Sequence, residues 1–186
     1  LWTTKREFSY NLDGTLAEVK WEQTTPGVLS GIYTYHYNVD GNLLKSTDNP
    51  VQETVYTWEE NRITKSERIK NGELVEYSLF GYDDAGNVGE VAQFNKQPGG
   101  NFVMSLVFVY LYYTDGNLYK RLAYNPGGSE DIEDFTLIST YTYDNYLNVE
   151  NPVPMVEIIP NKRTQLTLPG TYRVESNGSD ITYEFS

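Results

Sequence analysis

A single histidine, His36, and the absence of cysteine bound the chemistry open to this 186-residue chain. Without thiols there is no disulfide framework, thiolate nucleophile or thiolate metal site in the segment. With one imidazole there is no histidine cluster and no HExxH zinc motif, and any Ser-His-Asp triad would have to run through His36. His36 stands between Tyr35 and Tyr37 in an alternating stretch, on the face opposite those tyrosines, where a strand histidine is ordinarily solvated. It is given no role.

Carboxylates are plentiful, with Asp+Glu 26 against Lys+Arg 14, a formal net charge of −12 and a pI near 4.4. That balance argues against nucleic acid and anionic membrane surfaces, which reward clustered Lys and Arg through counterion release. Two acids at a set separation suffice to hydrolyse a glycosidic bond, but nothing in the sequence singles out a pair. The Asp-Gly turns have neither EF-hand spacing nor the glycine-rich nonapeptide pattern, and turn geometry accounts for each Asp without calcium. Glu130, Asp131, Glu133 and Asp134 follow Pro126-Gly127-Gly128 as an acidic loop, which is usually solvated. No catalytic, metal or cofactor-binding residue is assigned, and an enzyme reading rests on no positive feature.

The third chemistry on offer is aromatic. The chain has Tyr 17, Phe 7 and Trp 3, and exposed tyrosines or tryptophans can stack on sugars. Their spacing points first to structure. FSYNLDGTL from Phe8, YHYNVDGNL from Tyr35, FGYDDAGNV from Phe80 and YLYYTDGNL from Tyr110 repeat one pattern. An aromatic lies six residues before the glycine and a tyrosine (Tyr10, Tyr37, Tyr82, Tyr112) four before it; an aliphatic (Leu16, Leu43, Val88, Leu118) lies two after it. YTYDNYLNV from Tyr141 is a decayed copy with Leu147 in place of glycine, and YTWEENRI from Tyr56 keeps the aromatic pair before a shorter turn. Self-similarity at such intervals marks a repeat architecture.

Asn11, Asn38 and Asp83 suit the first position of a type I turn, and the glycine suits a left-handed bulge position. Gly14, Gly41, Gly86 and Gly116 are therefore expected to have positive φ at equivalent hairpin corners. A three-residue loop sets Tyr10 opposite Leu16 and Tyr37 opposite Leu43 as aromatic–aliphatic pairs. A two-residue loop instead aligns Ala17, Val19 and Trp21 with the Phe8 face, and a bulge would reconcile the two registers. Asn71-Gly72 and Asn177-Gly178 read as two-residue hairpin turns.

With no apolar stripe at helical spacing, the expected fold is all-β. It is an antiparallel up-and-down meander of tandem hairpin repeats, about a dozen strands, curled into an open or closed barrel-like sheet. One domain is expected over residues 1–186, with repeats over about 3–147 and a C-terminal hairpin over about 171–186. Between them Pro152, Pro154, Pro160 and Pro169 make about 148–169 a covering segment. The most apolar stretch, Phe102 to Tyr113, falls short of the roughly 20 residues of a spanning helix.

With these residues the chain resembles the YD repeats of the RHS class, whose units run tyrosine, aspartate, two variable residues, glycine and an aliphatic; Tyr82-Asp83-Asp84-Ala85-Gly86 is the nearest copy. Together with the acidic balance and Asn151-Pro152, it is also similar to a family of uncharacterised Bacteroides-type secreted lipoproteins with a porin-like β fold. The resemblance implies a place outside the cytoplasm, in the periplasm or at the outer-membrane surface, through a lipid anchor upstream of Leu1. It carries no known activity.

Two functional readings follow, a binding module for a glycan or protein and a purely structural repeat, with a monomer expected in either case. The apolar face of the strand ending at Tyr112 is where they meet. The three-residue register sets Leu111 against Tyr119 and Val107 against Ala123, and Val107, Val109, Leu111 and Tyr119 form the candidate binding surface. The alternative is that Val153, Met155, Val156, Ile158 and Ile159 of the Pro-rich segment cover it.

Overall fold

The alternating segments form thirteen strands in a computed structural model that describes residues 4–23, 30–48, 51–126, 137–142, 171–176 and 179–184. They are β1 (Thr4–Tyr10), β2 (Leu16–Gln23), β3 (Ser30–Tyr37), β4 (Leu43–Asp48), β5 (Gln52–Glu59), β6 (Arg62–Lys70), β7 (Glu73–Tyr82), β8 (Val88–Lys96), β9 (Phe102–Tyr112), β10 (Leu118–Tyr124), β11 (Leu137–Thr142), β12 (Thr171–Ser176) and β13 (Ser179–Glu184). Every strand is hydrogen-bonded to the next in sequence, with no crossover, in one sheet. The sheet is an open meander, since β1 and β13 are not neighbours. Among the described residues no helix is long and apolar enough to cross a membrane, a statement that does not bear on strands. The Pro-rich segment 148–169, the acidic residues Glu130 to Asp134 and the Asn177-Gly178 turn lie outside the described residues.

The corners follow from the turn chemistry. Gly14, Gly41, Gly86 and Gly116 have φ of +84°, +78°, +85° and +85°. In each the glycine N–H donates to the carbonyl three residues back, as Gly41 N does to Asn38 O at 3.1 Å, and an outer bond closes the loop, as Asn38 N does to Asn42 O at 2.9 Å. A fifth corner of the same kind had no aromatic signature to reveal it. At residues 97–101, Gly100 (φ +87°) donates to Gln97 O at 2.9 Å, and Gln97 N to Asn101 O at 2.8 Å. Pro98, with its preset φ, takes the position a type I turn favours for it. The shorter hairpins turn through two left-handed residues, Glu60 and Asn61 (φ +48° and +62°) and Asn71 and Gly72 (φ +53° and +78°), the geometry that matches strand twist.

Register changes within two pairs of the corner in four hairpins, β1–β2, β3–β4, β5–β6 and β9–β10. Tyr10 pairs with Leu16 but Ser9 with Glu18, so Ala17 is an extra residue. Tyr37 pairs with Leu43 but His36 with Lys45, leaving Leu44 over. Thr64 and Tyr119 are the corresponding extra residues of β6 and β10. Both registers open to the sequence are thus present, the three-residue one at the corner and the other past the bulge, where Phe8 faces Val19 and Arg6 faces Trp21. The bulge also corrects two expected pairs: Leu111 faces Lys120 rather than Tyr119, and Val107 faces Tyr124 rather than Ala123.

The chain packs as two compact units, Leu1–Ser78 with Asn95–Phe102, and Leu79–Phe94 with Val103–Ser186. In the first, Val19, Leu43, Tyr56 and Ile63 are buried on the tyrosine face. The Trp58 indole donates Nε1–H to Leu43 O at 2.7 Å, a carbonyl past the last β4–β5 pair, Lys45 with Val55. Trp21 lies across its partner Gly31, where an added Cβ would sit 2.5 Å from the indole nitrogen, and it stacks with Tyr33 at 6.5 Å. In the second unit Val88, Tyr110, Leu118 and Ala123 are buried, and Tyr112 repeats the Trp58 device by donating its hydroxyl to Val88 O at 2.9 Å. Each fully buried aliphatic of this kind contributes roughly 1.5–3 kcal/mol.

Tyr110 faces Arg121, whose guanidinium lies 4.6 Å from the Phe108 ring centroid. Burial pushes the Tyr110 phenol up to about 12 against the opposing pull of Arg121. A raised pKa in the folded chain means that the stabilisation is complete below the ordinary value near 10 and is lost as pH climbs towards 12.

Two measurements check this core. Gly41→Ala should cost about 1 kcal/mol in denaturant unfolding through left-handed strain alone, since no atom lies within 4 Å of the new Cβ; Gly41→Asn should recover much of it, and Gly31→Ala should cost more because the Trp21 ring must move. In an absorbance titration one tyrosine should ionise near 12, and that step should vanish in Tyr110→Phe.

Candidate binding surface

The repeat's own rule shows where a residue is present for a reason other than the fold. At the first turn position the other glycine-cornered aromatic copies carry Asn11, Asn38 and Asp83. Asn38 Oδ1 accepts from Asp40 N at 3.0 Å and Asn42 N at 2.9 Å, and Asp83 Oδ1 accepts from Asn87 N at 2.8 Å. A side-chain acceptor here satisfies amides that the loop leaves over. The fourth copy has Tyr113 instead. In that copy Asp115 holds the loop, its Oδ1 accepting from Asn117 N at 2.9 Å and its Oδ2 from Asn117 Nδ2 at 3.0 Å, as Asp13 does from Thr15 N in the first copy.

The bulge position breaks the rule as well: where Ala17, Leu44 and Thr64 stand elsewhere, β10 has Tyr119. The two substitutions meet. The Tyr113 and Tyr119 rings lie 4.9 Å apart, tilted by 58°, and Lys120 Nζ sits 5.6 Å from the Tyr119 centroid. Tyr113 is 39% exposed, Tyr119 37%, and Leu111, two residues before Tyr113, 42%. Partial desolvation raises the Tyr113 phenol, with Tyr119 and Asp115 adding to it.

Of the four residues picked out by sequence, only Leu111 and Tyr119 present much surface; Val107 is 3% exposed and Val109 half-buried. The segment proposed to cover this face lies outside the described residues. Tyr113 was missed, although a Tyr in an Asn/Asp turn position was the available signal. His36 is exposed on β3 opposite Lys45.

The turn aspartates Asp13, Asp83 and Asp115 are engaged by their own loops. Asp13 Oδ1 accepts from the Thr15 hydroxyl at 2.6 Å and from Thr15 N at 2.9 Å. The Thr15 hydroxyl, then its amide, hold Asp13 below the usual carboxylate range, and the Asn117 amide, then its side chain, do so for Asp115. Among the described residues no group of three or more His, Asp or Glu is gathered as a metal would require.

No protein-family profile matches the chain, and no curated protein is significantly similar to it. Solved structures do match. A porin-like protein from Bacteroides uniformis overlays with TM-score 0.67 at 14% identity, over 100% of this chain and 77% of that one. The Photorhabdus luminescens Tc holotoxin pore overlays at TM-score 0.38 and 16% identity, over 98% of this chain and 12% of that one. At such identity the first likeness shows the fold alone: the chain has the β architecture of the porin-like Bacteroides protein.

Proposed function

We propose that the chain is a non-catalytic binding module working outside the cytoplasm, with a glycan as its ligand and Tyr113 and Tyr119 as the contact. The observation that carries this is the pair of exposed tyrosines set where every other aromatic copy has a turn-holding or small or aliphatic residue. Tyrosine offers a flat apolar face with a hydrogen-bonding tip and few torsions to freeze, which suits a sugar ring with its C–H face and hydroxyl edge. The repeat tyrosines are otherwise employed, Tyr112 in a hydrogen bond to Val88 O and Tyr110 in the core. Hydrolysis would need two carboxylates in set positions, and the one beside the pair, Asp115, is committed to Asn117. A net charge of −12 favours a neutral ligand over an acidic one.

The extracytoplasmic location, with a lipid anchor upstream, draws support from the YD-type repeat pattern and from a Bacteroides neighbour described as porin-like. The second reading, a structural spacer, is favoured by the strictly sequential strand order, which lets hairpins be added without rearranging the rest.

A glycan array followed by calorimetry tests the proposal. Tyr113→Ala and Tyr119→Ala should each weaken the best glycan by about tenfold, roughly 1.4 kcal/mol, with unfolding midpoints unchanged. Full affinity in both variants, or no glycan bound by the wild type, would favour the spacer.

A further inference from the structure

The sheet face opposite the tyrosines in the first unit also has an ordered composition. Thr34 pairs with Thr47, Thr47 with Glu53 and Glu53 with Ile69, so one cross-strand row runs from β3 to β6 as hydroxyl, hydroxyl, carboxylate, aliphatic. The two threonine hydroxyls are hydrogen-bonded to each other. Glu53 Oε2 accepts from Lys45 Nζ at 3.0 Å, which ties the carboxylate to the neighbouring strand. The row floors a concavity of about 700 Å³, a size typical of small-ligand sites. Ile32, Val51, Gln52, Asn71 and Gly72 complete the lining. The last two are built into the fold rather than loose: Asn71 N donates to Val51 O at 2.7 Å, and Asn71 and Gly72 are fixed in a left-handed turn.

From this lining we infer a second binding site, for a linear neutral saccharide laid across strands β3 to β6. The ligand class is that of the proposed function, but the residues are different. Among the described residues the lining holds no Lys, Arg or aromatic side chain, so these residues offer an anion nothing and give a planar ring no stacking partner. Its one carboxylate is already matched by Lys45, so a cation finds no unmet charge. What remains is a row of hydroxyl and carboxylate groups beside three aliphatic side chains, Ile32, Val51 and Ile69. That combination fits a chain of hydroxyls with an apolar C–H face. Strands lie ~4.8 Å apart, so Thr34 to Glu53 spans roughly 10 Å and would contact more than one sugar unit. Among the described lining residues Glu53 is the one carboxylate, where glycoside hydrolysis calls for a pair.

Calorimetry with cellohexaose, xylohexaose and mannohexaose, and with an oligogalacturonate of similar length as the anionic comparison, tests this on the whole chain. At least one neutral hexasaccharide should bind, more tightly than the anionic chain. Thr47→Val and Glu53→Gln should each weaken it by tenfold or more with the unfolding midpoint unchanged. The Lys45–Glu53 pair is partly open to solvent, with side chains 39% and 35% exposed, and such a pair contributes little to stability, so Glu53→Gln should fold. Tyr113→Ala should leave this binding in place. Binding lost in Tyr113→Ala but untouched by Thr47→Val and Glu53→Gln would remove the second site while the proposed function stands. No neutral hexasaccharide bound, or the oligogalacturonate bound more tightly, would overturn the inference.

Discussion

Two side chains three residues apart on a strand cannot both reach one face unless an extra residue lies between them. Leu16 and Val19, Leu43 and Ser46, Ile63 and Ser66, and Leu118 and Arg121 all meet that condition, and each pair is served by a register shift immediately past its aliphatic. Close to the corner the aliphatic faces a repeat aromatic; past the bulge the same face continues with the next residues of the strand. Remove the bulge and every later side chain of that strand turns over, since strand periodicity is two. The left-handed corner and the bulge are therefore parts of one device, and the aromatic–aliphatic core depends on it.

That device also decides which aromatics are spent on the fold. Trp58 and Tyr112 hold the same place in their copies and each donates to the carbonyl of the preceding hairpin's aliphatic, Leu43 and Val88. They join neighbouring hairpins as well as fill the core. Tyr113 and Tyr119 occupy a turn position held elsewhere by Asn or Asp and a bulge position held elsewhere by Ala17, Leu44 or Thr64, and Asp115 holds the loop as Asp13 does in the first copy. On the other face of the first unit the residues are free of the core's demands, and polar and aliphatic side chains share one row.

Much of this was legible because it is local. The Asp-Gly and Asn-Gly corners, the sequential order and the tyrosine positions follow from turn chemistry and alternation. The register was only half legible: the corner favours one pairing and the hydrophobic pattern of Val19 and Trp21 the other, and both hold on either side of a bulge that no single residue type announces. Tyr119 was expected to face Leu111, and the bulge hands that place to Lys120. The corner at residues 97–101 was hidden because no tyrosine precedes it. The concavity of the first unit could not be read at all, since Thr34, Thr47, Glu53 and Ile69 come from four strands and meet only through the accumulated register.

The register of the β3–β4 hairpin is the most direct test of this account, and interstrand nuclear Overhauser contacts in solution would measure it. The bulged arrangement requires Tyr37 to contact Leu43 and, on the same face, Tyr35 to contact Ser46, with Leu44 opposite no residue of its own. A continuous ladder in which Tyr35 instead faces Lys45 would contradict it, and with it the placing of Thr34 against Thr47.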